Sequence, residues 1–368
     1  MLLFKGPRDQ FLTPLQSVCG IVEKRHTLPI LSNVLIEKGG DRLTLLATDI
    51  EMQIRTGTPS SGAEQVAVTV AARKLQDILR SLPENVEVSL NLDERRLQLK
   101  AGKSRFNLQT LPAEDFPRMA EAAGQPTILK LTQKQFKRML GLVQYAMAQQ
   151  DIRYYLNGML LVVSKDELRL VATDGHRLAF ASEEIGSQGT ERIEIILPRK
   201  TVLELSRQLA DNDEALEIAL TPTQARFSFG EVEFVSKLVD GKFPDYERVI
   251  PQNQNKILLL DRAGFQHSLL RAAILTNEKF RGVRLVLASG SLKILSTNAE
   301  NEEAQEEIEV DYAGDELDVG FNVNYLLDVL NNVATDKIEI RLADSNSSAL
   351  IMLPDNSRFK YVVMPMRI

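Results

Sequence analysis

A chain of 368 residues is too long for one ordinary core and suits two or three domains. Its 44% apolar and 26% charged residues fit a soluble globular protein and exclude a disordered chain; no apolar run is long enough for a membrane helix, and no secretory leader is read at the start. The single cysteine, Cys19, excludes an internal disulfide and a cysteine metal cluster, so the cytoplasm is the expected compartment, and the net charge of −6 speaks against a nucleic-acid partner only if that charge is evenly spread.

The opening MLLFKGPRDQF reads as a strand leading to a turn. An amphipathic helix follows, with Phe11, Leu15 and Val18 at i, i+4 and i+7 on one stripe. TLPILSNVLI (27–36) ends in a β-rich run, and LTLLATDIEMQI (43–54) is a strand closed by a small-Thr-Asp turn. Leu75, Ile78, Leu79 and Leu82 mark a second helix; Val86, Val88 and Leu90 then alternate as a strand with one buried face. A second strand with Arg105-Phe106 closes the unit, and DFP (115–117) follows.

The same order recurs twice. The first helix stripe returns as Phe136, Leu140, Val143 and as Phe265, Leu269, Ala272. The turn returns in LRLVATDGHRLAF (168–180) and LKILSTNAENEEAQ (292–305), so that Thr48, Thr173 and Thr297 stand 125 and 124 residues apart. The second helix returns at Val202, Leu205, Leu209 and at Leu326, Val329, Leu330, Val333; the alternating strand at Leu216, Ile218, Leu220 and at Ile338, Ile340, Leu342; and the Arg-Phe pair at 226–227 and 358–359. AEAAGQPT (120–127) and IPQNQNK (250–256) read as linkers. The expected fold is therefore α+β: three copies of one domain, at 1–124, 125–254 and 255–368, each with two helices over antiparallel sheets of roughly eight strands.

Chemistry is sparsely signalled. His26, His176 and His267 show no metal-ligand spacing, and neither a phosphate loop nor a strained nucleophile turn is present. Asp174 and His176 flank Gly175 in what reads as a tight turn, where Asp bonds its own backbone. The first and third copies have Ile-Glu-Met and Ala-Glu-Asn where the middle one has Gly-His-Arg, so that copy carries a special surface. A hydrolase built on Asp174 and His176 is the enzymatic alternative, and it lacks a nucleophile. A repeat scaffold that binds only protein is another.

TLPILSN, QDIRYYLNGML, ATDGHRLA, SKLVDGKFPDYERV, RAAILTNEKFRGVRL, FNVNYLLDVL and YVVMPMRI closely resemble the bacterial sliding-clamp family, the β subunits of DNA polymerase III. The resemblance runs from end to end. It implies a non-catalytic processivity factor without cofactor or metal: three domains form a crescent, and two crescents join head to tail as a ring of six, with helices lining the hole. Such a ring needs a positive bore with sequence-independent phosphate contact, so the excess acid belongs on the outer sheets.

Bore candidates on or beside the helices are Arg25, Arg73, Lys74, Lys134, Lys137, Arg199, Lys200 and Arg207. The alternative for any one of them is an ordinary solvated helix face. The resemblance assigns DNA contact to Arg25, Gln150, Tyr154 and Tyr155, whose tyrosines could stack on bases or line a phosphate path.

For ring closure, the acidic run Glu300, Glu302, Glu303, Glu306, Glu307 complements the basic run Arg95, Arg96, Lys100, Lys103, Arg105, with Lys74 nearby in the first copy. Ala299 and Asn301 interrupt the acidic run. The resemblance adds Phe106 and Leu108 on one side and Ile274 and Leu275 on the other.

It also implies a partner pocket at Leu156, Thr173, Gly175, His176, Arg177, Leu178, Pro244, Arg248, Val249 and Ser348, with Val362, Val363, Met364, Pro365, Met366 and Arg367. This is read as an apolar cleft with arginines at its rim, where methionine gives adaptable contact. Alternation puts Val363 and Pro365 opposite Met364 and Met366, and the alternative for the two methionines is core packing. The implied occupants are short hydrophobic peptides from the polymerase catalytic subunit, the clamp loader, other polymerases and mismatch-repair proteins, with no membrane partner.

Overall fold

The structure, a computed structural model, describes residues 1–23, 28–62, 64–186 and 190–368; Arg25 and His26 lie outside them. The first repeat runs β1 (Leu2–Pro7), α1 (Arg8–Cys19), β2 (Asn33–Gly39), β3 (Arg42–Thr48), β4 (Met52–Pro59), β5 (Val66–Ala71), α2 (Ala72–Ser81), β6 (Glu87–Asp93), β7 (Arg96–Ala101) and β8 (Ser104–Pro112). The second runs β9 (Thr127–Thr132), α3 (Gln133–Val143), β10 (Gly158–Lys165), β11 (Glu167–Thr173), β12 (Arg177–Glu184), β13 (Thr190–Pro198), α4 (Arg199–Gln208), β14 (Ala215–Leu220), β15 (Gln224–Phe229) and β16 (Val232–Lys237). The third runs β17 (Lys256–Asp261), α5 (Arg262–Ala272), β18 (Gly282–Ala288), β19 (Ser291–Thr297), β20 (Glu303–Glu309), β21 (Leu317–Asn322), α6 (Val323–Asn332), β22 (Lys337–Leu342), β23 (Ala349–Leu353) and β24 (Asn356–Val363). Two helices and eight strands recur in one order.

Each repeat builds two half-sheets with the same strand order. In the first these are β1-β6-β7-β8 and β5-β2-β3-β4; in the second, β9-β14-β15-β16 and β13-β10-β11-β12; in the third, β17-β22-β23-β24 and β21-β18-β19-β20. The predicted stripes face inward: Phe11, Leu15, Val18, Phe136, Leu140, Val143, Phe265, Leu269 and Ala272 are at most 1% exposed. Burying one such large apolar side chain stabilises the fold by about 1.5–3 kcal/mol.

Compactness divides the chain differently from the repeats. One unit holds residues 1–135 and 203–238, the other 136–202 and 239–368, so the middle repeat is shared between them. The cause is backbone pairing across repeat boundaries. In the first unit β4 pairs antiparallel with β16, Ile54 opposite Phe234, making a sheet of 12 strands. In the second, β12 pairs with β24, Ala179 opposite Tyr361, making a sheet of 8.

Two local expectations change. Pro7 leads straight from β1 into α1 without a turn, because the Arg8 amide donates to the Val86 carbonyl (2.8 Å) and its guanidinium to the Leu82 carbonyl (2.5 Å), docking the junction directly. Three strands follow the second helix rather than two, and the Arg-Phe pairs are not equivalent: 105–106 and 358–359 lie on the third, β8 and β24, but 226–227 on the second, β15. Any strand with one buried face can carry an exposed-buried dipeptide.

No described helix is long and apolar enough to cross a membrane. Cys19 closes α1 at 1% exposure, and burial pushes its thiol up to about 12. The thiolate is the reactive form, so Cys19 is expected to resist Ellman's reagent in the native protein and to react once urea unfolds it. Rapid labelling of the folded chain would contradict this burial.

Candidate functional site

The turn joining β11 to β12 is built by its own side chains. Thr173 Oγ1 donates to the Arg177 carbonyl (2.6 Å) and accepts from the Gly175 amide (3.1 Å). Asp174 Oδ1 accepts from the amides of His176 (2.9 Å) and Arg177 (3.1 Å). The first repeat repeats the device: Thr48 Oγ1 donates to the Met52 carbonyl, and Asp49 Oδ1 accepts from the amides of Glu51 and Met52. In the third, Asn298 Oδ1 accepts from Glu300 and Glu302. A positive φ is needed here; Gly175 adopts 90°, and its counterpart Ile50 adopts 78° as a non-glycine. Asp174 is thus occupied by backbone amides and, at Oδ2, by Arg177 Nε (3.1 Å). Both carboxylate oxygens of Asp174 therefore serve the turn.

Arg177 corrects the expectation of a rim arginine. Its side chain is 10% exposed and is held by Asp174 and Asp328, by the Tyr145 carbonyl (2.6 Å) and by the Tyr361 hydroxyl (3.4 Å). Burial works against its charge, but Tyr361, Asp328 and Asp174 more than offset this and hold its pKa above the ordinary arginine value. Its donors are engaged within the protein rather than offered to a ligand. His176 points elsewhere, its ring nearly parallel to that of Tyr325 with centroids 6.5 Å apart.

Beside this turn lies a cleft of about 180 Å³. Of the predicted residues, Leu156, Thr173, Gly175, Arg177, Leu178, Pro244, Val249, Val362 and Met364 line it. Arg153 and Tyr246 line it too and were not anticipated. Arg153 is the more exposed arginine of the lining: Asp151 holds it at 2.8 and 3.0 Å, and it donates to the Asp174 carbonyl (3.2 Å). Tyr246 is 4% exposed, packs on Phe180 with centroids 6.1 Å apart, and accepts from Arg169 (3.3 Å). Burial pushes its hydroxyl above the ordinary tyrosine pKa, so it stays neutral. Its position between Pro244 and Val249 was the available signal.

His176, Arg248, Ser348, Val363, Pro365, Met366 and Arg367 are not in the lining. Arg248 is 87% exposed and bridges Asp245 (2.8 Å), and the Ser348 carbonyl accepts from Gln254 (2.9 Å). Val363 alternates away from the cleft into the core, while Met364 is 42% exposed in it. The Met366 amide donates to the Gly320 carbonyl of β21 (2.9 Å), which takes that methionine out of the pocket set.

The DNA candidates fall in different settings. Lys74, Gln150, Tyr154 and Lys200 are exposed, and Tyr155 is half-buried, edge-to-face with Tyr154 at 5.8 Å. Arg73 donates to the Val22 carbonyl (2.8 Å) and Arg199 to the Met147 carbonyl (3.2 Å). Arg207 is paired with Glu204.

Of the interface candidates, Arg96, Lys103 and Arg105 are exposed, and Phe106 and Leu108 half-buried, on β7, β8 and their hairpin. Ile274 is 76% exposed, and Leu275 half-buried, in the helical turn after α5. Glu300 and Glu302 lie in the turn before β20, Glu303 and Glu306 on it. Glu306 is held by Arg271 (2.5 and 2.8 Å), which lowers its pKa, and Glu302 accepts from Asn298 (2.5 Å). Among the described residues no group of three His, Cys, Asp or Glu could hold a metal.

Family models for the N-terminal, central and C-terminal domains of the DNA polymerase III beta subunit match residues 2–120, 130–245 and 247–367. The beta sliding clamp of Pseudomonas putida is 50% identical over 366 residues, covering 99% of this chain and 100% of that protein. A crystal structure of the Pseudomonas aeruginosa DNA polymerase sliding clamp with ligand superposes with a TM-score of 0.96 at 48% identity, covering 100% of both chains. Another from that organism, bound to griselimycin, gives 0.95 at 48% with the same coverage.

Proposed function

Because the chain belongs to the DNA polymerase III β-subunit family, the sliding clamps, we propose that two copies close head to tail into a six-domain ring around duplex DNA. The chain is a sliding clamp of DNA replication, a processivity factor and not an enzyme. Its three domains are taken as 1–124, 125–254 and 255–368, and its place as the cytoplasm.

One observation carries ring closure. Within the chain, β4 pairs with β16 and β12 with β24. Among the described residues the third member of that series, β20, pairs only with β19, and its counterpart β8 meets β5 only over Thr110–Pro112. Open strand edges seek partners, and a second copy supplies the missing junction twice. Carrying over the register of Ile54 with Phe234 and Ala179 with Tyr361 sets Ala304 of one copy opposite Phe106 of the other. Gln305 then faces Arg105, with Glu303 diagonal to it on the same face, and Glu306 falls opposite Ser104 on the face of Phe106; Ile274 and Leu275 lie against Phe106 and Leu108, and Lys74, Arg96, Lys103, Glu300 and Glu302 flank them.

Duplex DNA is held through Arg25, Arg73, Lys74, Gln150, Tyr154, Tyr155, Arg199 and Lys200 by sequence-independent contact. The cleft takes short apolar peptides of the polymerase catalytic subunit, the clamp loader, other polymerases and mismatch-repair proteins. Encirclement replaces affinity: a tethered polymerase rebinds at high effective concentration. Opening the ring falls to a separate ATP-driven loader. The test is release on cutting: loaded protein should stay on nicked circular DNA at high salt and leave when the circle is linearised. Equal retention on both forms would favour adhesive binding and sink the ring.

A further inference from the structure

We infer that Asp328 on α6 is a positioning residue for the docking cleft, acting through Arg177 on the turn that forms one wall; this rests on the peptide-docking reading above. Asp328 lines none of the cleft, yet it holds Arg177 Nη1. Asp174 cannot do this alone. Its Oδ1 is taken by two amides, and its Oδ2 meets only Nε. Without Asp328, Nη1 keeps a single long bond to Tyr361 (3.4 Å).

The helix grips the turn at a second point, one helical turn earlier. Tyr325 lies under the guanidinium at 4.6 Å and beside His176, and its carbonyl accepts from the Tyr361 hydroxyl (3.0 Å). Spacing of three residues puts Tyr325 and Asp328 on one helix face. A buried arginine that loses a carboxylate must move toward another partner or water. Gly175 and Leu178, on either side of Arg177 in the wall, would move with it.

The test uses the full chain and a fluorescein-labelled pentapeptide ending Leu-Phe, read by anisotropy. Asp328→Ala should weaken binding about tenfold, and Asp328→Asn, which keeps an acceptor, should do so by less. The chain has no tryptophan, so a difference spectrum between variant and wild type reports on its seven tyrosines, of which Tyr145, Tyr325 and Tyr361 surround Arg177. It should change in both Asp328 variants and stay unchanged in Asp318→Ala, which removes a different surface pair, with Arg284. Wild-type binding matched by both Asp328 variants would overturn the inference, as would an equal loss in Asp318→Ala. If Asp328→Ala fails to fold, Asp328→Asn decides. A wild-type chain that ignores the peptide would overturn the docking reading itself, and this inference with it.

Discussion

Replacing Ile274 and Leu275 together by alanine is expected to leave a folded monomer, with the sedimentation mass of one chain instead of two. Ile274 is 76% exposed in the single chain, so trimming it leaves no cavity and the fold should survive. In the proposed dimer the same side chain becomes a buried anchor. An anchor of this kind costs about 2 kcal/mol or more when truncated. A two-copy head-to-tail ring contains the contact twice, so the double change removes on the order of 5–8 kcal/mol. That outweighs the surrounding ion pairs, which are exposed and individually worth about 1 kcal/mol or less. Glu306 illustrates the point, since Arg271 of its own chain already holds it. An unchanged dimer would place the interface elsewhere; a monomer that still unfolds cooperatively, at a midpoint lowered by the lost association, would support the open edges of β8 and β20 as the joint.

The repeats were legible because side-chain periodicity survives in a single sequence. Helix stripes at i, i+4, i+7 and alternating strands record which face is buried, and Thr48, Thr173 and Thr297 each end the strand expected of them. What pairs backbone to backbone leaves no such record. The junctions β4–β16 and β12–β24, which set the compact units against the repeats, are made by amides and carbonyls that every residue possesses. The site shows the same division. The cleft positions were all named through the resemblance: of the turn residues Thr173, Gly175, Arg177 and Leu178 line it and His176 does not, and Leu156, Pro244 and Val362 join them from elsewhere in the chain. Arg177 was put at the rim because the groups that hold it, Tyr145, Asp328 and Tyr361, are 32, 151 and 184 residues away. Tyr246 was missed although its place between Pro244 and Val249 pointed to it, because the Phe180 and Arg169 side chains that seat its ring are 66 and 77 residues away.

Tyr246→Ala is expected to lower the thermal midpoint on the order of 10 °C and to abolish binding of the Leu-Phe peptide. The ring is a partition. On one side is the cleft of about 180 Å³, on the other a basin of about 540 Å³ that Tyr246 also lines, with Arg169, Phe180 and Ile250. Removing a buried aromatic costs about 3–5 kcal/mol in lost burial and unfilled space. Here it also fuses the two cavities, so a peptide side chain loses the surface it presses against. Tyr246→Phe separates the ring from its hydroxyl. The bonds given up, from Arg169 (3.3 Å) and to Glu247 (3.4 Å), are long, so the loss should be about 1 kcal/mol or less, with peptide affinity near wild type. Calorimetry and anisotropy on the two variants decide the matter. If alanine binds the peptide as tightly as phenylalanine does, the wall is not Tyr246 and the apolar grip of the cleft rests on Leu178, Val362 and Met364 alone.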